Sequence, residues 1–150
     1  FVTELNEGYD KMRFYGKGPF ENYCDRGDAA ILGVYEGAVE EFEHGYLTPQ
    51  ECSNHTEMRW LEVCGEDKPT LQIKYVGKPF EASVNEYSIE QLENTTHRHL
   101  LQKTGRLTVT FDGKQRGVGG AAPAVACTKP RYKIYPVVKH SFSVQLSFKK

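Results

Sequence analysis

The sequence predicts an all-β, antiparallel fold with one or two short helices. Three observations carry that reading. Hydrophobic and polar residues alternate in several short runs, Gly, Pro, Asn and Asp separate those runs, and a complete helix-start signal occurs once. In chain order, Met12 and Phe14 alternate with Lys11 and Arg13 in an opening strand that Gly16-Lys17-Gly18-Pro19 ends. Ala29 to Tyr35 is short and apolar and reads as a possible helical stretch. Around Trp60 the pattern is softer, with Met58, Trp60 and Glu62 expected on one face and Arg59, Leu61 and Val63 on the other. Leu71, Ile73 and Tyr75 alternate with Gln72 and Lys74.

Ser88-Ile89-Glu90-Gln91 fits a capping box, in which the Ser88 hydroxyl and the Gln91 amide satisfy opposite orphan donors. Ile89 and Leu92 then share one helix face, and the β-branched residues near Thr96 end the helix. Two more strands follow. In one, Leu107, Val109 and Phe111 interleave with Thr108, Thr110 and Asp112; in the other, Phe142, Val144, Leu146 and Phe148 interleave with Ser143, Gln145 and Ser147.

At 150 residues the chain has the length of one domain, so residues 1–150 are read as a single domain fragment. About five strands are legible, and the long connection from Gly16 to Pro49 shows no regular pattern. A half-sandwich lacking its partner sheet has this look. It predicts an open apolar face that includes Phe142, Val144, Leu107 and Val109, and self-association through it.

Composition removes several function classes. Lys and Arg (19) nearly balance Asp and Glu (20), so no global field draws the chain to nucleic acid or to an anionic membrane. No apolar run approaches the ~20 residues of a membrane helix. The four cysteines (Cys24, Cys52, Cys64 and Cys127) include no Cys-x-x-Cys pair and read as free thiols. Cys52 and His55 have the spacing of two metal ligands, but no second pair completes a site.

Three motifs stand out. In the first, Gly16, Gly18 and Pro19 dictate a turn, after which Glu21, Asn22, Tyr23, Asp25 and Arg26 crowd into a short loop. Its carboxylates argue against an anion cradle, and Asp25 and Arg26 are expected to lock the loop by hydrogen bonds. The second is His97-Arg98-His99. Two histidines at i and i+2 suit a metal or a general acid, while Arg98 between them repels a cation; a structural role is favoured. The third is Gly117-Val118-Gly119-Gly120, followed by the small apolar run Ala121 to Ala126.

Taken in order, Tyr15-Gly16-Lys17-Gly18-Pro19 with Glu21-Asn22-Tyr23 and Asp25-Arg26, Thr48-Pro49-Gln50-Glu51, Arg59-Trp60, His97-Arg98-His99 and Gly117-Val118-Gly119-Gly120 resemble the C-terminal domain of the bacterial β-galactosidases of glycoside hydrolase family 2. The resemblance runs from about Tyr9 to Phe148. It implies an antiparallel β-supersandwich of the galactose mutarotase type, of which this chain is roughly the second half. It also implies a parent that hydrolyses terminal β-galactosides with retention. In that family, two glutamates about 5–5.5 Å apart in a separate (β/α)₈ barrel do the chemistry.

No catalytic residue is then expected in residues 1–150, and the isolated chain is expected to be inactive. No cofactor or metal is expected in it, because the family's magnesium and sodium sites belong to other domains. The implied partners are the upstream domains or large subunit carrying the barrel, and a galactoside substrate. The domain's implied task is to wall the sugar site with the loop at Gly120, Ala121, Pro123 and Ala124. Where the family continues Asp-Asp-Ser-Trp, with the Trp stacking on the sugar, this chain reads Ala121-Ala122-Pro123-Ala124. The stacking aromatic is missing, and Tyr132 and Tyr135 are the nearby aromatics that would stand in. The alternative is a stand-alone carbohydrate-binding or oligomerisation domain. The chain opens Phe1-Val2-Thr3-Glu4, without Met or a targeting pattern, and reads as a processed or excised piece. The resemblance leaves its compartment open between bacterial cytoplasm and periplasm.

Overall fold

The structure, a computed structural model, describes residues 1–119 and 128–150. It is an all-β sandwich of two antiparallel sheets. The nine strands are β1 (Val2–Leu5), β2 (Lys11–Gly18), β3 (Ile31–Ala38), β4 (His55–Met58), β5 (Trp60–Cys64), β6 (Thr70–Val76), β7 (Phe80–Asn85), β8 (Leu107–Asp112) and β9 (Ser143–Lys149). The four-stranded sheet runs β1-β8-β7-β4 and the five-stranded sheet β3-β2-β5-β6-β9.

Period-2 alternation sends one face of each sheet into a common core. Leu5, Met58, Phe80, Ala82, Val84, Leu107, Val109 and Phe111 come from the first sheet, and Met12, Phe14, Leu61, Val63, Leu71 and Ile73 from the second. The inference of a missing partner sheet is therefore corrected. Both sheets are present, because β1, β3, β4 and β7 are strands that the alternation test passed over. The Gly16 to Pro49 connection contains β3 and a 3₁₀ turn at Val39–Phe42.

The expected helical stretch from Ala29 to Tyr35 is a strand instead. Tyr35 lies opposite Phe14, and Gly33 and Gly37 lie opposite Gly16 and Met12. Pairing along the whole of β2 outweighs a weak helical preference in so short a segment. The one α-helix among the described residues, α1 (Ile89–Asn94), starts on the expected box: the Gln91 N–H donates to Ser88 Oγ and the Ser88 N–H to Gln91 Oε1, both at 3.1 Å.

The face assignment around Trp60 is also corrected. Leu61 and Val63 share the inward face, yet Met58, expected on the opposite face, is fully buried as well. The chain leaves the first sheet after Met58 and joins the second at Trp60, with a register shift between His55 and Met58 and a φ of 54° at Glu57. Such a bulge and corner break strict alternation.

The open apolar residues differ from those expected. Leu107 and Val109 are core, while Phe142 and Val144 are partly buried against it. Exposure rises instead along the inward rows of the five-stranded sheet. Phe14, Leu61 and Ile73 are all 0% exposed and Leu146, next in the row, is 51%; Met12, Val63 and Leu71 lead to Phe148 at 63%. Strand β9 thus extends past the cover of the opposing sheet, leaving an apolar overhang of Leu146, Phe148 and the neighbouring Tyr75.

Candidate functional site

The Glu21 to Arg26 loop follows β2 through a cis Gly18–Pro19 peptide, and buried amides fold it back. Asn22 Nδ2 donates to the carbonyls of Lys17 and Phe20 at 2.9 and 2.8 Å. Its Oδ1 accepts from the Thr56 N–H and hydroxyl at 3.0 and 2.6 Å. Asn54 continues the network: its carbonyl accepts from the Asn22 N–H at 2.7 Å, and its Nδ2 donates to the Asn22 carbonyl and to Glu81 Oε2. Burial raises the Glu81 carboxyl above its ordinary pKa, against the Asn54 hydrogen bond.

Glu21 is buried to 6% exposure. One of its oxygens accepts from Arg26 Nη1 and the Tyr46 hydroxyl, and the other from the Ser53 N–H. That hydroxyl also accepts from Arg26 Nη1 at 2.7 Å, an interaction that raises the Arg26 pKa. Burial raises the Tyr46 and Tyr23 hydroxyl pKa values, and the Glu21 carboxylate adds to both shifts. Glu21 and Arg26 are thus committed to protein partners, whereas Asp25, expected with Arg26 to lock this loop, turns to another one.

Asp25 makes the connection on which the site depends. Its Oδ1 accepts from the Val118 N–H at 3.0 Å and its Oδ2 from the Gly119 N–H at 2.9 Å. Two successive amides on one carboxylate form a charge-assisted anchor. Gly117 suits this approach, because a Cβ there would run into Asp25 Oδ2. The Gly117 N–H donates to the Tyr132 carbonyl, and the Thr128 hydroxyl donates to the Gly117 carbonyl at 3.1 Å. Both flanks of residues 120–127 are therefore tied beside Asp25. The first and third motifs, 93 to 94 residues apart at these contacts, meet here. Gly120, Ala121, Pro123 and Ala124 lie outside the described residues.

The second motif sits on the other side of the 43–47 segment. Arg98 Nη2 pairs with Glu43 Oε1 at 3.1 Å, and its N–H donates to the Leu47 carbonyl. His97 and His99 are exposed, with ring centroids 5.6 Å apart. No metal-binding group of side chains occurs among the described residues, and Cys24, Cys52 and Cys64 are free thiols. Segment 43–47 joins the two motifs, since Glu43 holds Arg98 and Tyr46 holds Glu21 and Arg26. Tyr46, Ser53 and Glu81 were missed from sequence, because contacts across 25 to 32 residues leave no local pattern.

Comparison with known proteins gives the family. Residues 1–146 match the family described as beta-galactosidase small chain. The chain belongs to this family. It is similar to a beta-galactosidase of Priestia megaterium, with 38% identity over 87% of the chain and 13% of that protein. It is also similar to beta-galactosidase BgaC of Bifidobacterium adolescentis, with 34% identity over 92% of the chain and 13% of that protein. A beta-galactosidase of Lactococcus lactis is 29% identical over 97% of the chain and 14% of its own length. The small-chain match thus spans only about an eighth of these relatives.

Proposed function

We propose that this chain is the non-catalytic C-terminal supersandwich region of a retaining β-galactosidase of glycoside hydrolase family 2. Its role is to wall the sugar site with residues 120–127. The Asp25 anchor is the observation that supports this reading: a conspicuous loop motif spends both oxygens of its Asp25 carboxylate on the base of a second loop. Such an arrangement presents a loop to a neighbour and does no bond-breaking itself. The two carboxylates of the double displacement then belong to a (β/α)₈ barrel elsewhere in the parent. Magnesium and sodium, where the parent uses them, belong to those other domains too. The apolar overhang at Leu146 and Phe148 fits a region that packs against more of the same enzyme.

Ala124 stands where the family stacks a Trp on the sugar, so this site orients a disaccharide less strongly. Tyr132, whose carbonyl holds Gly117, is the aromatic at the base of the loop. In the parent enzyme, Ala124→Trp is expected to lower the KM for lactose about three- to tenfold, the worth of one aromatic stack. An unchanged KM with the variant folded would remove residues 120–127 from the sugar site.

A further inference from the structure

The four-stranded sheet carries polar side chains on its outer face that are nonetheless buried. Ser83 on β7 lies opposite Thr110 on β8, and Asn85 lies opposite Thr108. Ser83, Asn85 and Thr108 are 2%, 5% and 6% exposed, although they point away from the core. They are covered by the chain around Cys52, whose carbonyl and thiol both meet the Asn85 amide, and by the segment that leads into α1. Between this cover and the sheet is a cavity of about 280 Å³.

The chemistry of that cavity is selective. Its floor is the cross-strand square of Ser83, Thr110, Asn85 and Thr108. The hydroxyls of Ser83, Thr108 and Thr110 make no hydrogen bond among the described residues, and they are not sealed from the cavity. Three donor–acceptor groups in a row, open to the cavity, can pair with the hydroxyls of a ligand. Tyr87, Ile89 and Leu92 form an apolar wall, and Glu51, Glu93 and Asp112 supply carboxylates around it. Phe1 and Val2 complete the lining; the Phe1 ammonium is paired with Asp112 Oδ1 at 3.2 Å, and Glu51 and Glu93 leave the rim acidic, which disfavours phosphate and other anions.

We infer that this outer-face cavity is a binding site for one neutral, polyhydroxylated ring, a single pyranose. A hexose has hydroxyls for the floor, an apolar ring face for the Tyr87 to Leu92 wall, and further hydroxyls to donate to the carboxylates. The volume lies just below the range of drug-sized pockets, so it takes one sugar unit and excludes an oligosaccharide. The site is formed by sheet face and helix, apart from the Asp25 anchor and the loop it holds. It does not depend on the hydrolase reading.

In the 150-residue chain the location of the response separates this cavity from the loop held by Asp25. Titration of the ¹⁵N-labelled chain with D-galactose, followed by amide chemical shifts, is the direct test. The expected result is saturable, millimolar binding, with shifts confined to residues 1–2, 51–52, 83–93 and 108–112. Thr108→Val keeps the shape and removes a hydroxyl; Thr110→Val does the same at a position less critical for folding. Each is expected to weaken binding about tenfold with the remaining spectrum unchanged. Absence of saturation up to ~100 mM sugar, shifts at residues 113–119 instead, or unaltered binding by both valine variants would overturn the assignment.

Discussion

His55 makes the stability of this chain depend on acid, and the size of the effect follows from its surroundings. The ring is fully buried, 4.6 Å from Phe14 and 6.0 Å from Phe42 between ring centroids. Its Nδ1 lies 3.2 Å from the Lys17 carbonyl, which assigns the proton to that nitrogen, and Nε2 has no partner among the described residues. Burial lowers its pKa from 6.5 to about 4, opposed only weakly by the Lys17 carbonyl. The unfolded chain therefore binds a proton near pH 6.5 that the folded chain refuses until about pH 4. Stability is complete above pH 6.5 and falls through this window as pH drops, by about 1.4 kcal/mol per pH unit. Between pH 7.5 and 5 the loss is about 2 kcal/mol.

Glu43 and Glu81 act in the opposite sense, because burial raises both carboxyls and protonation relieves them. The comparison must therefore be made against a chain that keeps both. His55→Leu does so with little change of volume, and the Lys17 carbonyl keeps its hydrogen bond from Asn22 Nδ2. Urea unfolding at pH 7.5 and 5 is the assay. The stability of the native chain relative to His55→Leu should fall by about 2 kcal/mol across that interval. Parallel curves for the two chains would refute the argument that His55 is held neutral.

Three further outcomes follow from the geometry. Asp25→Ala removes the acceptors of the Val118 and Gly119 amides, so hydrogen exchange at those two amides should accelerate at least ~10-fold with little change in Tm; unaltered exchange would mean the carboxylate does not hold the loop. A Cβ at Gly65 would collide with the Gly8 backbone, which cannot swing aside as a side chain would. Gly65→Ala should cost about 2 kcal/mol or more in chemical denaturation, and a neutral result would contradict the close packing of these two turns. The apolar overhang should drive self-association of the chain, and Phe148→Glu should shift its sedimentation toward monomer. A native chain that stays monomeric at high concentration would contradict this.

Much of the fold was legible where one face meets water and the other the core. Strands β2, β6, β8 and β9 show clean alternation, and the α1 start is a local hydrogen-bond motif between Ser88 and Gln91. What escaped the pattern was decided by tertiary pairing. Strand β7 does alternate, Phe80, Ala82 and Val84 against Glu81, Ser83 and Asn85, and was passed over; because its outer face is covered, all six residues are buried and only the contrast in exposure is lost. Strand β3 owes its form to β2 and has glycines where side chains would have signalled a face. At Arg59 the chain changes sheets, which puts Met58 in the core against the local periodicity. The candidate site divides the same way. Asp25, Arg26 and Gly117 were conspicuous as motif residues, but nothing local joined them, and Tyr46 and Ser53 are visible only once the 43–53 segment folds over Glu21.

The central claim is that this chain completes a β-galactosidase without performing its chemistry. Reconstitution tests it most directly. The parent enzyme, truncated just before the residue equivalent to Phe1, is assayed with a nitrophenyl β-galactoside alone and after addition of the separate 150-residue chain. The account predicts no hydrolysis by the chain alone, impaired hydrolysis by the truncated parent, and recovery when the two are mixed. Turnover by the chain alone, or a truncated parent with unchanged kcat and KM, would contradict it.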